Sequence, residues 1–207
     1  MFLCLLLRED IAPTEEANKS CKRVGGFNLA HELTGAVTLG GNPVTLIGPE
    51  LRVGDMAPDF TLLTNDRRKV HLTDYKNKTC IITTVPSLDT GVCDLQTRLL
   101  NEEASKMGDD VAVLAISADL PFAQARWCKE SNVEAITILS DHFDLSFGTA
   151  YGTYMKEQRL ECRAVFVINQ EGTIKYVEYV PEVTDHADYE SALQVANEVI
   201  NKAGAAK

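Results

Sequence analysis

The chain has 207 residues, 45% of them apolar, enough to bury one full core. A formal charge of -10 and the absence of any basic run exclude a protein that tracks phosphates, because such binding rests on Lys and Arg displacing condensed counterions. No stretch approaches the roughly 18 consecutive apolar residues of a spanning helix, so no membrane-inserted architecture is expected.

The opening Met1 to Leu7 is apolar but short. It lacks a preceding basic stretch, and Arg8-Glu9-Asp10 stands where a small-residue cleavage site would be, so it is not read as a secretory signal and a cytoplasmic location is expected. Weak periodicity, mixed charge and Gly25-Gly26 predict that residues 1–35 form a flexible, non-catalytic extension, with one domain over 36–207. Val37 to Leu39 and Val44 to Ile47, around Gly40-Gly41-Asn42-Pro43, predict a β-hairpin. Phe60 to Leu63 and Val70 to Leu72 flank a polar turn and predict two further strands.

Cys80 to Val85 reads as a buried strand ended by Pro86, which cannot donate to a ladder. A helix is predicted from about Thr90 to about Met107, with Leu95, Leu99 and Leu100 as its apolar stripe. The continuously apolar Val111 to Ile116 suits a central strand covered on both faces. Short elements follow: a helix over Pro121 to Lys129, a strand over Ile136 to Leu139 and a helix over Phe143 to Tyr151. Ala164 to Ile168 and Thr173 to Val180 predict an antiparallel hairpin, and the spacing of Tyr189, Leu193, Ala196 and Ile200 predicts a closing amphipathic helix. Together these predict an α/β fold of thioredoxin-like layout, a central mixed sheet flanked by helices with an N-terminal hairpin.

The six cysteines are too few and too irregularly spaced for a small secreted disulfide scaffold. In a reducing compartment such thiols are buried, metal-bound or catalytic. No C-x-x-C occurs, and His31, His71, His142 and His186 are scattered without ligand spacing, so no metal site is expected.

Cys93 falls about three residues into the helix after the buried strand. The first turn of a helix carries unpaired N–H groups and the positive end of the dipole, which stabilise a thiolate. Acidity alone does not make a fast nucleophile. A thiol brought from about 8.5 to about 6 gains roughly 30-fold in thiolate at pH 7, but a Brønsted slope of about 0.45 removes roughly 13-fold of intrinsic reactivity. The rest must come from groups that align a substrate and stabilise charge on a departing atom. Thr90, three residues before Cys93, and Arg163, read as strand-borne, are candidates for those roles, and Pro86 for shielding the pocket. Each also has a plainer explanation: Thr90 as an N-cap accepting the Cys93 backbone N–H, Pro86 as a strand terminator, Arg163 as a surface charge.

Taken together, Pro86-Ser87-Leu88-Asp89-Thr90-Gly91-Val92-Cys93 resembles the peroxiredoxin pattern P-x-x-x-T-x-x-C, in the form found in the atypical two-cysteine branch of bacterial thiol peroxidases. Ser117-Ala118-Asp119-Leu120-Pro121-Phe122-Ala123-Gln124, followed by Arg126-Trp127-Cys128, is similar to that branch's second hallmark. The resemblance runs from about Val37 to about Ala203 and implies reduction of hydrogen peroxide and organic hydroperoxides. It implies Cys93 as the peroxidatic cysteine, Cys128 as the resolving cysteine, Thr90 as the hydroxyl contacting thiolate and peroxide, Arg163 as the active-site arginine and Pro86 as the proline covering the sulfur. It further implies thioredoxin as electron donor, a homodimer, and no metal or organic cofactor. Similar proteins lack a counterpart of residues 1–35.

Cys128 lies on a different helix from Cys93, with a whole strand between them in sequence. A disulfide needs Cα atoms within about 7 Å, so one of the two helical segments is expected to unwind before the bridge closes. Cys80 is expected in the core, Cys4 and Cys21 in the extension, and Cys162 outside the mechanism, since strand alternation would turn it away from Arg163. Two competing functions remain at this level. A general disulfide oxidoreductase would want C-x-x-C, and a non-catalytic redox sensor would oxidise only stoichiometrically.

Overall fold

The structure, a computed structural model, describes residues 31–205, with the side chains of residues 92–96 and 204–205 outside that description. Most of the expected extension, including Cys4 and Cys21, therefore lies outside the described residues. Two sheets share the work of building the core. The smaller one pairs the hairpin β1 (Glu32–Leu39) and β2 (Asn42–Ile47) with the short β8 (Tyr154–Met155) and β9 (Leu160–Glu161), in the order β1-β2-β8-β9. Gly40 and Gly41 turn the hairpin with φ of 58° and 78°, the double left-handed geometry that matches strand twist and that side chains resist. The Glu182 carboxylate accepts both of their N–H groups at 2.9 Å, anchoring the turn to the far end of the chain.

The larger sheet has seven strands in the order β11-β10-β5-β6-β7-β3-β4, comprising β3 (Thr61–Thr64), β4 (Lys69–His71), β5 (Thr79–Thr84), β6 (Val111–Ser117), β7 (Thr137–Ser140), β10 (Ala164–Ile168) and β11 (Ile174–Tyr179). β5, β6 and β7 run parallel, while β10 pairs antiparallel to β5. Parallel neighbours need crossover helices, supplied by α1 (Gly91–Ala104) between β5 and β6 and by α2 (Pro121–Ser131) between β6 and β7. Both crossovers advance the same way across the sheet, and the right-handed rule puts both helices on one face.

The strand residues divide accordingly. Ile81, Val113, Ala115, Val165 and Val167 pack with Leu100 of α1, Trp127 of α2 and Ala192 and Ala196 of α4 (Tyr189–Ala205). Their alternates Ile82, Leu114, Ile116 and Phe166 pack on the other face with Leu46 of the hairpin and with Phe147 and Tyr151 of α3 (Ser146–Tyr151). That second layer is aromatic: the Phe147 and Tyr151 rings stack at 4.0 Å and Tyr151 meets Phe166 edge-on at 5.2 Å.

The sequence reading differs from this in a few places. β1 begins at Glu32, ahead of Val37, and α1 ends at Ala104 rather than near Met107. Leu99, assigned to the apolar stripe of α1, is 53% exposed, whereas Leu100 is buried. Leu99 and Leu100 are adjacent on a helix, so one face cannot take both. β8 and β9 were not expected, because two-residue strands leave no periodic signal.

Candidate active site

The loop that leaves β5 is held at the carboxyl end of the parallel strands. Val85 still donates its N–H to Ile116 O of β6 at 3.0 Å, and beyond it the half-buried Pro86 carries no donor to continue the ladder. Thr90 then occupies the N-cap of α1 in an extended conformation, φ -98° and ψ 141°. Its side chain does not cap the helix: the hydroxyl donates to Ser87 O at 3.2 Å. The first-turn N–H groups of α1 are thereby left uncapped by the residue best placed to take them, which preserves the positive end of the helix for an anion. Cys93 is the third residue of α1, inside that first turn. Its side chain, and with it the expected contacts of its sulfur with Thr90 and Pro86, lies outside the described residues.

The same loop is tied to the end of β6 by Asp119. One carboxylate oxygen accepts Ser87 Oγ–H at 2.8 Å; the other accepts the Leu88 backbone N–H and Ser117 Oγ–H, each at 2.8 Å. Ser117 Oγ also accepts from the buried Gln124 Nε2 at 3.0 Å, which extends the network into α2. Further along, Asp89 and Arg126 approach to 3.6 Å, and the Arg98 guanidinium donates to Ser131 O and Oγ at 3.0 and 2.9 Å. Three polar ties thus join the loop and α1 to α2.

Cys128 is on α2, a free half-buried thiol whose Sγ accepts Asn65 Nδ2–H at 3.4 Å. Asn65 belongs to the β3–β4 turn, and the thiol borders a groove of about 280 Å³ lined by Thr64, Asn65, Arg68, Val133 and Ile138 among others. Burial pushes the Cys128 thiol up from its ordinary value, and the Asn65 donor offsets part of that. Cys80 and Cys162 are buried in the aromatic layer, where burial drives the Cys80 thiol up to about 12 and the Cys162 thiol higher still. Neither ionises readily at neutral pH.

Arg163 is not the surface charge of its plainer reading. It is 2% exposed, and its Nε donates to Val183 O at 3.2 Å. Nor is it within a strand: it closes the two-residue link between β9 and β10. The next residue, Ala164, pairs with Thr84, the last residue of β5, and Thr84 Oγ1 donates to Cys162 O at 2.7 Å. Arg163 is thereby fixed at the same end of the sheet as Pro86 and the loop leading to Cys93. Cys162 and Arg163 are therefore not set on opposite faces by strand alternation, and Cys162 is fully buried.

Two features carry no role in the sequence reading. Asp119 stands inside the Ser117–Gln124 segment, and its place two residues past the end of β6 is the one sequence sign of a turn function. Asp141 and Glu161 form a buried carboxyl pair beside the Cys162–Arg163 link; desolvation raises both, Asp141 to about 6, and Asp141 also accepts the Phe147 and Gly148 N–H groups that open α3. Their meeting depends on β9, which the sequence does not announce.

Comparison with known proteins bears on the whole arrangement. Residues 52–193 match the Redoxin family. The chain is 54% identical over 164 residues to the thiol peroxidase of Bacillus subtilis (strain 168), covering 79% of this chain and 98% of the relative. It is 56% identical over 161 residues to the thiol peroxidase of Halalkalibacterium halodurans, covering 78% and 96%. The crystal structure of a peroxiredoxin-like protein from Aquifex aeolicus matches with a TM-score of 0.75 at 39% identity, over 82% of this chain and 99% of the other.

Proposed function

From the premise that the chain belongs to the Redoxin family and acts as a thiol peroxidase, we propose that Cys93 attacks the peroxide and Cys128 resolves the product. The Cys93 thiolate displaces on the O–O bond of a hydroperoxide: an S–O bond forms, the O–O bond breaks, and the departing oxygen takes a proton to give alcohol or water. Cys93 is left as a sulfenic acid. The Cys128 thiolate then attacks that sulfur; an S–S bond forms and hydroxide leaves, taking a proton to become water. A thioredoxin dithiol returns two electrons and restores both thiols.

The observation that carries the reading is the placement of a cysteine in the first turn of α1, with the Thr90 hydroxyl turned to Ser87 O and away from the helix N–H groups. Arg163, buried at the same sheet end, is the cation for charge building on the departing oxygen; Thr90 is the hydroxyl that aligns the peroxide and Pro86 the shield against bulk water. The family resemblance also supports a cytoplasmic homodimer with its chemistry in residues 36–207 and none in 1–35. Among the described residues no helix is long and apolar enough to cross a membrane.

The test is consumption of hydrogen peroxide and an alkyl hydroperoxide coupled to thioredoxin, its reductase and NADPH. Many turnovers per chain are expected, with kcat/KM reduced by at least about a thousandfold in Cys93→Ser. Turnover that survives the substitution, or oxidation that stops at one equivalent of peroxide per chain, overturns the reading.

A further inference from the structure

The proposed cycle needs two incompatible states of one segment. Peroxide attack needs the Pro86–Thr90 loop and the first turn of α1 held still, whereas disulfide closure needs a cysteine segment to leave its place. Something must hold the loop with finite strength. Asp89–Arg126 is too exposed to do so, since ion pairs between exposed side chains contribute little. Arg98–Ser131 acts on the second turn of α1, beyond Cys93.

Asp119 is differently placed. Its two carboxylate oxygens receive the Ser87 hydroxyl, the Leu88 backbone N–H and the Ser117 hydroxyl, all at 2.8 Å, and hydrogen bonds to a charged acceptor are the stronger kind. Asp119 is itself braced: its N–H donates to Ser117 Oγ at 3.3 Å and its carbonyl accepts Ser140 Oγ–H from β7. Through Ser117 the network reaches Gln124, one helical turn before Cys128 on the same side of α2. Leu88, whose N–H is held, is 2% exposed and packs in the same apolar cluster as Trp127, the neighbour of Cys128.

Resting on the assignment of Cys93 and Cys128 above, we propose that Asp119 is a positioning residue that locks the Ser87–Leu88 loop for peroxide attack and whose release gates disulfide closure. Its partners among the described residues are Ser87, Leu88, Ser117 and Ser140, and the role assigned to it is to hold the loop rather than to react. Cutting it frees Leu88 and the entrance to α1 together, so the two chemical steps respond in opposite directions. A residue that merely supported the fold would weaken both.

The experiment is single-turnover stopped flow on the full chain, following Trp127 fluorescence, with quenched samples alkylated and weighed to count sulfenic acid, disulfide and sulfinic acid. In Asp119→Ala the bimolecular peroxide step is expected to slow about tenfold and the unimolecular closure step to quicken several-fold, lowering the fraction over-oxidised at a given peroxide concentration. Asp119→Asn keeps one carbonyl acceptor and should fall between. If Asp119→Ala does not fold, Ser87→Ala removes one tie alone and should shift both steps the same ways by a smaller factor. Both steps slowing together in a folded variant, or neither moving, overturns the proposal and leaves the cysteine assignment standing. A peroxide step that persists in Cys93→Ser overturns that assignment and this proposal with it.

Discussion

Cys93 and Cys128 stand at opposite ends of two helices that pack side by side on one face of the same sheet. Cys93 is in the first turn of α1, where N–H groups lack intrahelical partners and the dipole favours an anion. Cys128 is in the last turn of α2: its carbonyl accepts the N–H of the C-cap residue Asn132, and the negative end of the dipole disfavours a thiolate. Burial acts on Cys128 in the same direction, opposed by the Asn65 side-chain donor and, more weakly, by a backbone N–H. The contrast teaches an order of events. In the proposed cycle the packed protein ionises one thiol and keeps the other protonated, so the second reacts only after the first has been oxidised and the loop ahead of Cys93 has been released.

Removing the second thiol is the largest test of that order. Cys128→Ser is expected to retain the first, stoichiometric reaction with peroxide and to lose at least about a hundredfold of thioredoxin-supported turnover. Intact mass after excess peroxide should show two added oxygens, since a sulfenic acid without a partner thiol is carried on to sulfinic acid. Steady turnover without over-oxidation would mean that another thiol resolves Cys93.

A smaller effect separates the two thiols by pH. The raised Cys128 thiol has less thiolate at pH 7 to 8 than an ordinary cysteine, so closure from the packed arrangement should quicken by up to about tenfold per pH unit over that range. The peroxide step, which in the proposed cycle draws on a thiol already ionised, should change by less than about twofold. Rapid-mixing rates for the two steps at pH 6.5, 7.5 and 8.5 make the comparison. Closure that levels off near the ordinary thiol pKa of about 8.5 would locate the attack after Cys128 has left its groove.

Most of the large sheet and its helices is legible because the elements carry local signals: continuous apolar runs for β6 and β10, and a strand-terminating Pro86 followed by an N-cap residue for the loop and α1. Helix placement alone put Cys93 in a first turn. What was hidden depends on contacts between segments distant in sequence. Arg163 reads from the sequence as strand-borne or as a surface charge, because its hydrogen bond runs to Val183, twenty residues on, and because β9, which ends just before the link that carries it, is too short to leave a pattern. Asp119 lay within a quoted motif, but its partners Ser87 and Leu88 are some thirty residues away across the β5–β6 edge. Asn65 sat in a polar turn that looked like any other. Local pattern predicts elements; it does not predict which polar side chains meet when elements close on each other.

Asn65 offers the finest of the tests, because it acts on one side of the comparison only. Its Nδ2 donates to Cys128 Sγ at 3.4 Å beside a groove that Ile138 and Val133 also line. Replacing it by Leu keeps the branched shape and removes the donor, so the Cys128 thiol should rise further and ionise less. In a Cys93→Ser background, alkylation of Cys128 by iodoacetamide at pH 8, mapped by peptide mass, should slow about threefold, the worth of one weak neutral hydrogen bond. Slower alkylation would establish that the groove sets the acidity of the Cys128 thiol while α2 stays in place. Faster alkylation would mean that Asn65 acts chiefly as a latch on α2, and that access to Cys128, rather than its ionisation, separates it from Cys93.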